Sequence, residues 1–203
     1  MSHPVIERAK VVLETLAGAA LPGWGELAAS ARLLELEPGD YLFRAGEQQP
    51  YVFVVRTGLV KLVYETHDGK CWVKGFAAED AFFASLSALR PRQGASFSTI
   101  ALAPAAIERI EYAAITKLAL QHPSWQRAVC RGFELYGERK EKRERELLLL
   151  SAQERLRLFL EEQPELETRI PQKDLAGYIR VTPVALSRIR ARLRRGCTYT
   201  GTV

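Results

Sequence analysis

The stretch from 170 to 193, IPQKDLAGYIRVTPVALSRIRARL, constrains this chain more than any other. Pro171 suits a helix start, where its missing N–H would have had no partner, and Leu175, Ala176 and Ile179 follow at helical spacing. A first helix is expected from Pro171 to Ile179. Thr182 can cap a second helix with its hydroxyl and Pro183 fits the first position inside it. Val184, Leu186, Ile189 and Leu193 then supply its apolar positions. Two short helices joined by a turn of about three residues predict a helix–turn–helix.

Charge sharpens that prediction. From Arg169 to Gly196 eight Lys or Arg stand against one acid, Asp174, while the whole chain carries only +5, so the remainder is slightly acidic. Positive charge at that density self-repels unless something anionic faces it. A charge run alone reads equally as a solvated helix face or a membrane-surface segment; on a helix–turn–helix it points to double-stranded DNA.

The length, 203 residues at 47% hydrophobic content, accommodates one sizeable core and a smaller second domain. No run of about 18 apolar residues exists, and MSHPVIERAK carries charge where a secretory signal needs an apolar stretch; a cytoplasmic protein without membrane contact is expected. Cys71, Cys130 and Cys197 are odd in number and form no CxxC pair, which gives neither a disulfide framework nor a zinc site.

Along the chain, a helix from Val5 to Leu16 and a short helical piece from Glu26 to Ala31 precede a change of period. The runs 34–37, 41–44, 51–57, 59–65 and 71–76 are rich in Val, Tyr, Phe and Leu and are punctuated by Gly39, Gly46, Gly58, Gly69 and Gly75. An irregular or helical stretch, 78–89, leads to further strands at 96–101 and 105–110. About eight strands in so short a span fit an antiparallel jelly-roll that protects its edges. Helices return at 113–120 and, after His122-Pro123, from Trp125 to about Leu150. Trp125, Val129, Phe133 and Tyr136 recur at three- and four-residue intervals on this long helix. One small barrel cannot cover that whole face, so a second copy of the chain is expected against it, giving a parallel homodimer. The run ERKEKRERE, 138–146, reads as a solvated helix face, and Ser151-Ala152-Gln153-Glu154 as a capping box opening the next helix.

Barrel, long helix and helix–turn–helix in that order resemble the CRP/FNR family of bacterial transcription regulators, over nearly the whole chain. The similarity rests on LEPGDYLFRAGEQQPYVFVVRTGLVKLVYETHDGK (36–70), on SAQERLRLFL and on the Thr182-Pro183…Leu186-Ser187-Arg188 helix. It implies an α+β chain: an effector-sensing β-barrel domain with N-terminal helices (1–120), a dimerisation helix (121–150) and a helix–turn–helix domain (151–203). A sequence-specific regulator is implied, with promoter DNA, a second copy and RNA polymerase as partners. Family members commonly end in a β-hairpin wing, which the short segment after Arg195 reduces or abolishes.

The DNA-facing set expected on this basis is Gln172, Lys173, Arg180, Thr182, Pro183, Val184, Ser187, Arg188 and Arg190. In the best-known relatives an Arg-Glu pair opens the recognition helix and a second Arg follows, whereas here Pro183 and Val184 open it, with Ser187 and Arg188 after them. The dimer seam is expected at Trp125, Val129, Phe133 and Tyr136. An effector pocket is expected around Phe76, Phe82, Phe83 and Phe97, filled by its own rings or by a small molecule. Members that bind cyclic AMP hold it with a Gly-Glu pair and, further on, an Arg-Ser or Arg-Thr pair. The matching positions here are Ala84-Ser85 and Ala95-Ser96. A buried phosphate would then go unpaired unless Arg90 or Arg92, close by, took the place of that Arg, and a response to cyclic AMP is not expected.

Cofactors and metals are not expected. The iron–sulfur branch of the family needs N-terminal cysteines, and none precedes Cys71. His67 or Cys71 could ligate haem, but His67 reads as a hairpin residue; His3, His67 and His122 lack the spacing of a cupin metal site. No nucleophile–base arrangement or P-loop marks an enzyme. The alternative to a DNA-binding regulator is an effector-binding or interaction module whose helix–turn–helix has lost DNA contact.

Overall fold

The computed structural model describes residues 6–66 and 71–196. Two helices, α1 (Glu7–Ala17) and α2 (Trp24–Ser30), precede eight strands: β1 (Arg32–Leu36), β2 (Tyr41–Phe43), β3 (Tyr51–Thr57), β4 (Val60–Glu65), β5 (Cys71–Ala77), β6 (Phe82–Phe83), β7 (Ser98–Ala101) and β8 (Ala105–Glu111). The rest is helical: α3 (Tyr112–Gln121), α4 (Pro123–Leu149), α5 (Ala152–Glu162), a 3-10 turn (Pro164–Leu166), α6 (Gln172–Ile179) and α7 (Pro183–Gly196). The wing concerns 197–203 and the hairpin reading of His67 concerns 67–70; both lie outside the described residues.

The strands form two four-stranded antiparallel sheets, β1-β8-β3-β6 and β2-β7-β4-β5, the expected jelly-roll. β8 joins the first sheet in the middle, with Ile107 opposite Leu34 on one side and Val55 on the other. The two-residue β6 falls in a stretch expected to be irregular or helical; it is held only by Phe53 and Val54 pairing with Phe83 and Phe82. Gly58 turns β3 into β4 at φ +96°, and a Cβ there would stand 2.4 Å from the Pro104 carbonyl oxygen, so only glycine lets the chain cross here. Rings fill the space between the sheets: Phe53 lies 5.3 Å from Phe43 and 5.4 Å from Phe83, and Phe43 lies 5.6 Å from Phe97, centroid to centroid.

The N-terminal helices are fastened by a charge. Glu108, fully buried on β8, accepts from the Ala9 N–H at 2.6 Å and the Arg8 N–H at 3.3 Å, with Arg56 Nε 3.3 Å away. A carboxylate thus answers the unpaired donors at the start of α1, and burial raises its pKa. The N-terminal half of α4 packs on α1 and α3. Trp125 has no exposed surface, stacks on Trp24 at 6.2 Å and donates its indole N–H to the Pro22 carbonyl at 2.7 Å.

That packing takes Trp125 out of the expected seam and leaves less of the rest for a partner. Trp125 is spent on its own chain, Val129 is half-buried beside it, and Tyr136 turns toward the barrel, where Lys74 stands 5.7 Å above its ring. Of the four residues only Phe133, 44% exposed, faces outward. The exposed stripe runs instead through Cys130, Phe133, Gly137, Glu144 and Leu148, about 100° round the helix from Trp125. Most of 138–146 is solvated as expected, except that Arg143 and Glu146 pair inward at 3.1 Å.

Candidate nucleic-acid interface and adjoining cavity

α6 and α7 share a core of Leu175, Ile179, Leu186 and Ile189, to which α5 adds Leu156 and Phe159. The capping box of α5 is formed in both directions, Ser151 Oγ accepting from the Glu154 N–H and Glu154 from the Ser151 N–H. Thr182 Oγ1 accepts from the Ala185 N–H at 3.2 Å, and Pro183 opens α7. Arg180 ends α6 in the left-handed conformation, φ +66°, which makes the turn between the helices.

The expected DNA-facing residues separate into two groups. Gln172, Pro183, Val184, Ser187 and Arg188 line one shallow exposed concavity between the starts of α6 and α7, with Val184 62% exposed. Gln172 steadies that surface by donating to the Pro183 carbonyl at 3.2 Å. Lys173 and Thr182 are also exposed. Two arginines are placed elsewhere. Arg190 lies 3.4 Å from Glu167 with its Nε buried, so it braces its own domain, and Arg180 stands 4.7 Å over the Trp72 ring of β5. Arg190 is half-buried, and Arg180, though exposed, is drawn toward the barrel and is not part of that concavity.

Arg180 belongs to a docking surface between the helix–turn–helix and the barrel that charge counting does not reveal. Lys61 on β4 meets Asp174 on α6 at 2.6 Å, and Gly177 lies so close to β5 that a Cβ would sit 3.2 Å from the Val73 side chain. Phe76 on β5 packs with Phe159 and Tyr178, with centroids 6.3 and 5.5 Å away. Arg143 of α4 covers Tyr178 at 3.9 Å and donates to its carbonyl at 2.5 Å. At the edge Arg169 grips Glu79 through two nitrogens at 2.9 Å each and donates to the Gly58 carbonyl, while Glu79 accepts from the Gly58 N–H.

The Arg169 hydrogen bond holds the Glu79 carboxyl down at about 2. A carboxylate depressed on folding stabilises above its ordinary pKa near 4.5, and that stabilisation disappears as pH falls from there toward 2. The pair is more than a third exposed, so its contribution after screening is about 1 kcal/mol. Glu79→Gln should therefore lower the melting temperature by ~2–4 °C at pH 7. The gap should narrow as pH falls below about 4.5 and close only near 2, and a pH-independent gap would show that the ion pair is not what stabilises the contact.

A second concavity, a cavity of about 1060 Å³, opens between α4 and the barrel and reaches Tyr178 and Arg180 of the docking surface. Of the pocket residues expected from the sequence, Phe76, Phe82, Phe83, Ala84 and Ser96 line this cavity, and Ser85, Ala95 and Phe97 do not. Phe83 also packs with Phe97 in the barrel interior, Phe76 also belongs to the docking surface, and Phe82 faces α4 beneath Arg139 at 5.3 Å. The segment expected to match the cyclic-phosphate seat is hydrogen-bonded within itself. Ser85 Oγ accepts from the Ser96 N–H at 2.9 Å and lies 3.0 Å from Ser87 Oγ, while Ala95 is buried in the barrel core and Ala84 lines the cavity. Polar groups on its wall that were not legible as a set include Lys74 on β5, Tyr64 on β4, and Arg139 and Lys140 on α4. Among the described residues no group of three or more His, Cys, Asp or Glu could hold a metal ion. No helix there is long and apolar enough to cross a membrane.

Residues 33–122 match the family model described as "Cyclic nucleotide-binding domain". Among solved structures, FixK2 from Bradyrhizobium japonicum superposes with a TM-score of 0.70 at 20% identity, over 85% of this chain and 89% of that one. This is the CRP/FNR fold. The same fold is seen in CLP, the c-di-GMP responsive global regulator of Xanthomonas campestris, at TM-score 0.65 and 15% identity over 86% and 92% of the two chains. It is seen again in a CooA mutant from Carboxydothermus hydrogenoformans, at TM-score 0.70 and 14% identity over 91% and 84%. A comparison with curated protein sequences found no match.

At the positions expected to match a cyclic-phosphate seat this chain has Ala84-Ser85 and Ala95-Ser96, and the Ser96 N–H is already bonded to Ser85 Oγ. Calorimetry should detect no binding of cyclic AMP or cyclic GMP tighter than about 100 μM. A dissociation constant in the low micromolar range would overturn this account of the seat.

Proposed function

We propose that the chain is a sequence-specific DNA-binding transcription regulator, not an enzyme, that acts as a homodimer and passes its output to RNA polymerase. The observation that carries the reading is the start of α7. A capped helix with Val184, Ser187 and Arg188 exposed side by side is presented on the most basic segment of the chain. That end of a recognition helix enters the major groove, where exposed Arg and small apolar groups meet base edges and Lys173 meets phosphate. The barrel and its cavity form the sensing domain, and the cyclic nucleotides are not its signal.

The test is selection of binding sites from random duplex DNA with the purified full chain. A two-fold symmetric site with half-sites about 10 bp apart is expected, as is affinity that falls steeply with salt. Selection that yields no sequence, with only weak salt-sensitive binding, would favour the module whose helix–turn–helix no longer reads DNA.

A further inference from the structure

The cavity beside α4 is lined by six Lys or Arg and five Glu, Glu144 and Glu165 among them, yet not all of its cations are paired. Its glutamates are largely taken: Glu79 by Arg169 at 2.9 Å, Glu146 by Arg143 at 3.1 Å and Glu162 by Lys142 at 2.5 Å. Lys74, Arg139 and Lys140 have no acid within ion-pair distance among the described residues, and Glu144, one turn beyond Lys140, makes no pair with it. Lys74 is held over aromatic faces, 5.1 Å above Phe97 and 5.7 Å above Tyr136. Desolvation, with Lys140 adding repulsion, lowers its pKa. Lys74, half-buried against aromatic rings with the exposed Lys140 beside it, is costly to keep charged, and an incoming anion offsets both the desolvation and the repulsion.

Resting on the regulatory reading above, we propose that this cavity binds an amphipathic organic acid, its carboxylate between Lys74 and Lys140 and its apolar body against Leu62, Phe82 and Tyr136. Two ammonium groups on flexible stems suit one compact carboxylate. The planar fork that grips a phosphate is absent from this end, because Arg139 lies over Phe82. The size agrees, since about 1060 Å³ stands at the upper end of small-molecule sites, roughly 300–1,000 Å³. The cavity is also placed to be felt by the reading head, because Tyr178 and Arg180 lie on its wall and belong to the docking surface.

The test is calorimetry on the full chain with octanoate and 2-naphthylacetate, each beside its neutral alcohol, 1-octanol and 2-naphthaleneethanol. At least one acid should bind at tens of micromolar or better, with its alcohol at least 10-fold weaker; which acid binds tells whether the body is alkyl or aryl. Lys74→Met and, on the exposed helix surface, Lys140→Met should each weaken the acid toward the alcohol and leave the alcohol unchanged. The proposal falls if neither acid binds below 1 mM, if alcohol and acid bind alike, or if both variants bind the acid as the parent does. Site selection is read separately. Acid binding in a protein that selects no DNA overturns the regulatory reading and leaves the site standing, and DNA selection without acid binding does the reverse.

Discussion

Phe133→Glu combined with Gly137→Glu is expected to turn a dimer into a monomer and to lower affinity for a two-half-site DNA by 100-fold or more. The substitutions lie on the exposed stripe of α4, where Phe133 is 44% exposed and a Cβ on Gly137 would meet nothing within 4 Å of its own chain. Glycine inside a helix costs about 1 kcal/mol relative to alanine, and nothing within the chain explains its presence at 137. A neighbouring helix at close approach does. In a two-fold seam each new glutamate meets its own copy, so two substitutions place four like charges across one interface. The affinity loss follows from linkage, because joining two half-site contacts raises avidity by about 10²–10⁴ over either alone. Sedimentation velocity decides the first part: an unmodified chain that is monomeric at tens of micromolar, or a double variant that stays dimeric, removes this seam. A two-fold seam along this stripe would set the exposed Cys130 near its copy, so mild oxidation of a Cys71→Ser, Cys197→Ser background should yield a disulfide-linked dimer.

The seam shows where a sequence stops being legible. The three- and four-residue recurrence of Trp125, Val129, Phe133 and Tyr136 announces a buried face, but periodicity does not say whose face covers it. Here α1, α3 and the barrel take most of it, and the surface left for another copy is marked by a glycine and a single ring. Strands were legible because glycines punctuate them and β-branched and aromatic residues fill them; β3 spans the expected Tyr51–Thr57. β6 was not, since two residues that pair only across one neighbour leave no period. Eight cations from 169 to 196 announced an anionic partner, yet counting could not say that Arg190 would turn onto Glu167 and Arg180 onto Trp72. Those partners lie on other elements. The same holds for Lys74 and Lys140, which are far apart in the chain and meet only when β5 and α4 flank one cavity.

Arg188→Ala is expected to cost about 1–3 kcal/mol per half-site and to relax preference at one base pair in each. Among the exposed residues at the start of α7 it is the one whose side chain can form two hydrogen bonds to the O6/N7 edge of a guanine. Pro183 and Val184 offer at most apolar contact to a thymine methyl, and Ser187 a single hydroxyl. Gln172 is already committed to the Pro183 carbonyl, and Arg180 and Arg190 are engaged within the chain, so base reading falls on few groups. Lys173, exposed at the start of α6, carries charge without geometry; Lys173→Ala should weaken every sequence alike and flatten the salt dependence by about one unit of slope. The two outcomes are opposite in kind and are measured together by site selection at fixed salt, followed by titration of the best site across a range of salt. Unchanged base preference in Arg188→Ala would move the reading residue elsewhere on the concavity. A change of preference in Lys173→Ala would mean that α6, and not only α7, reaches the bases.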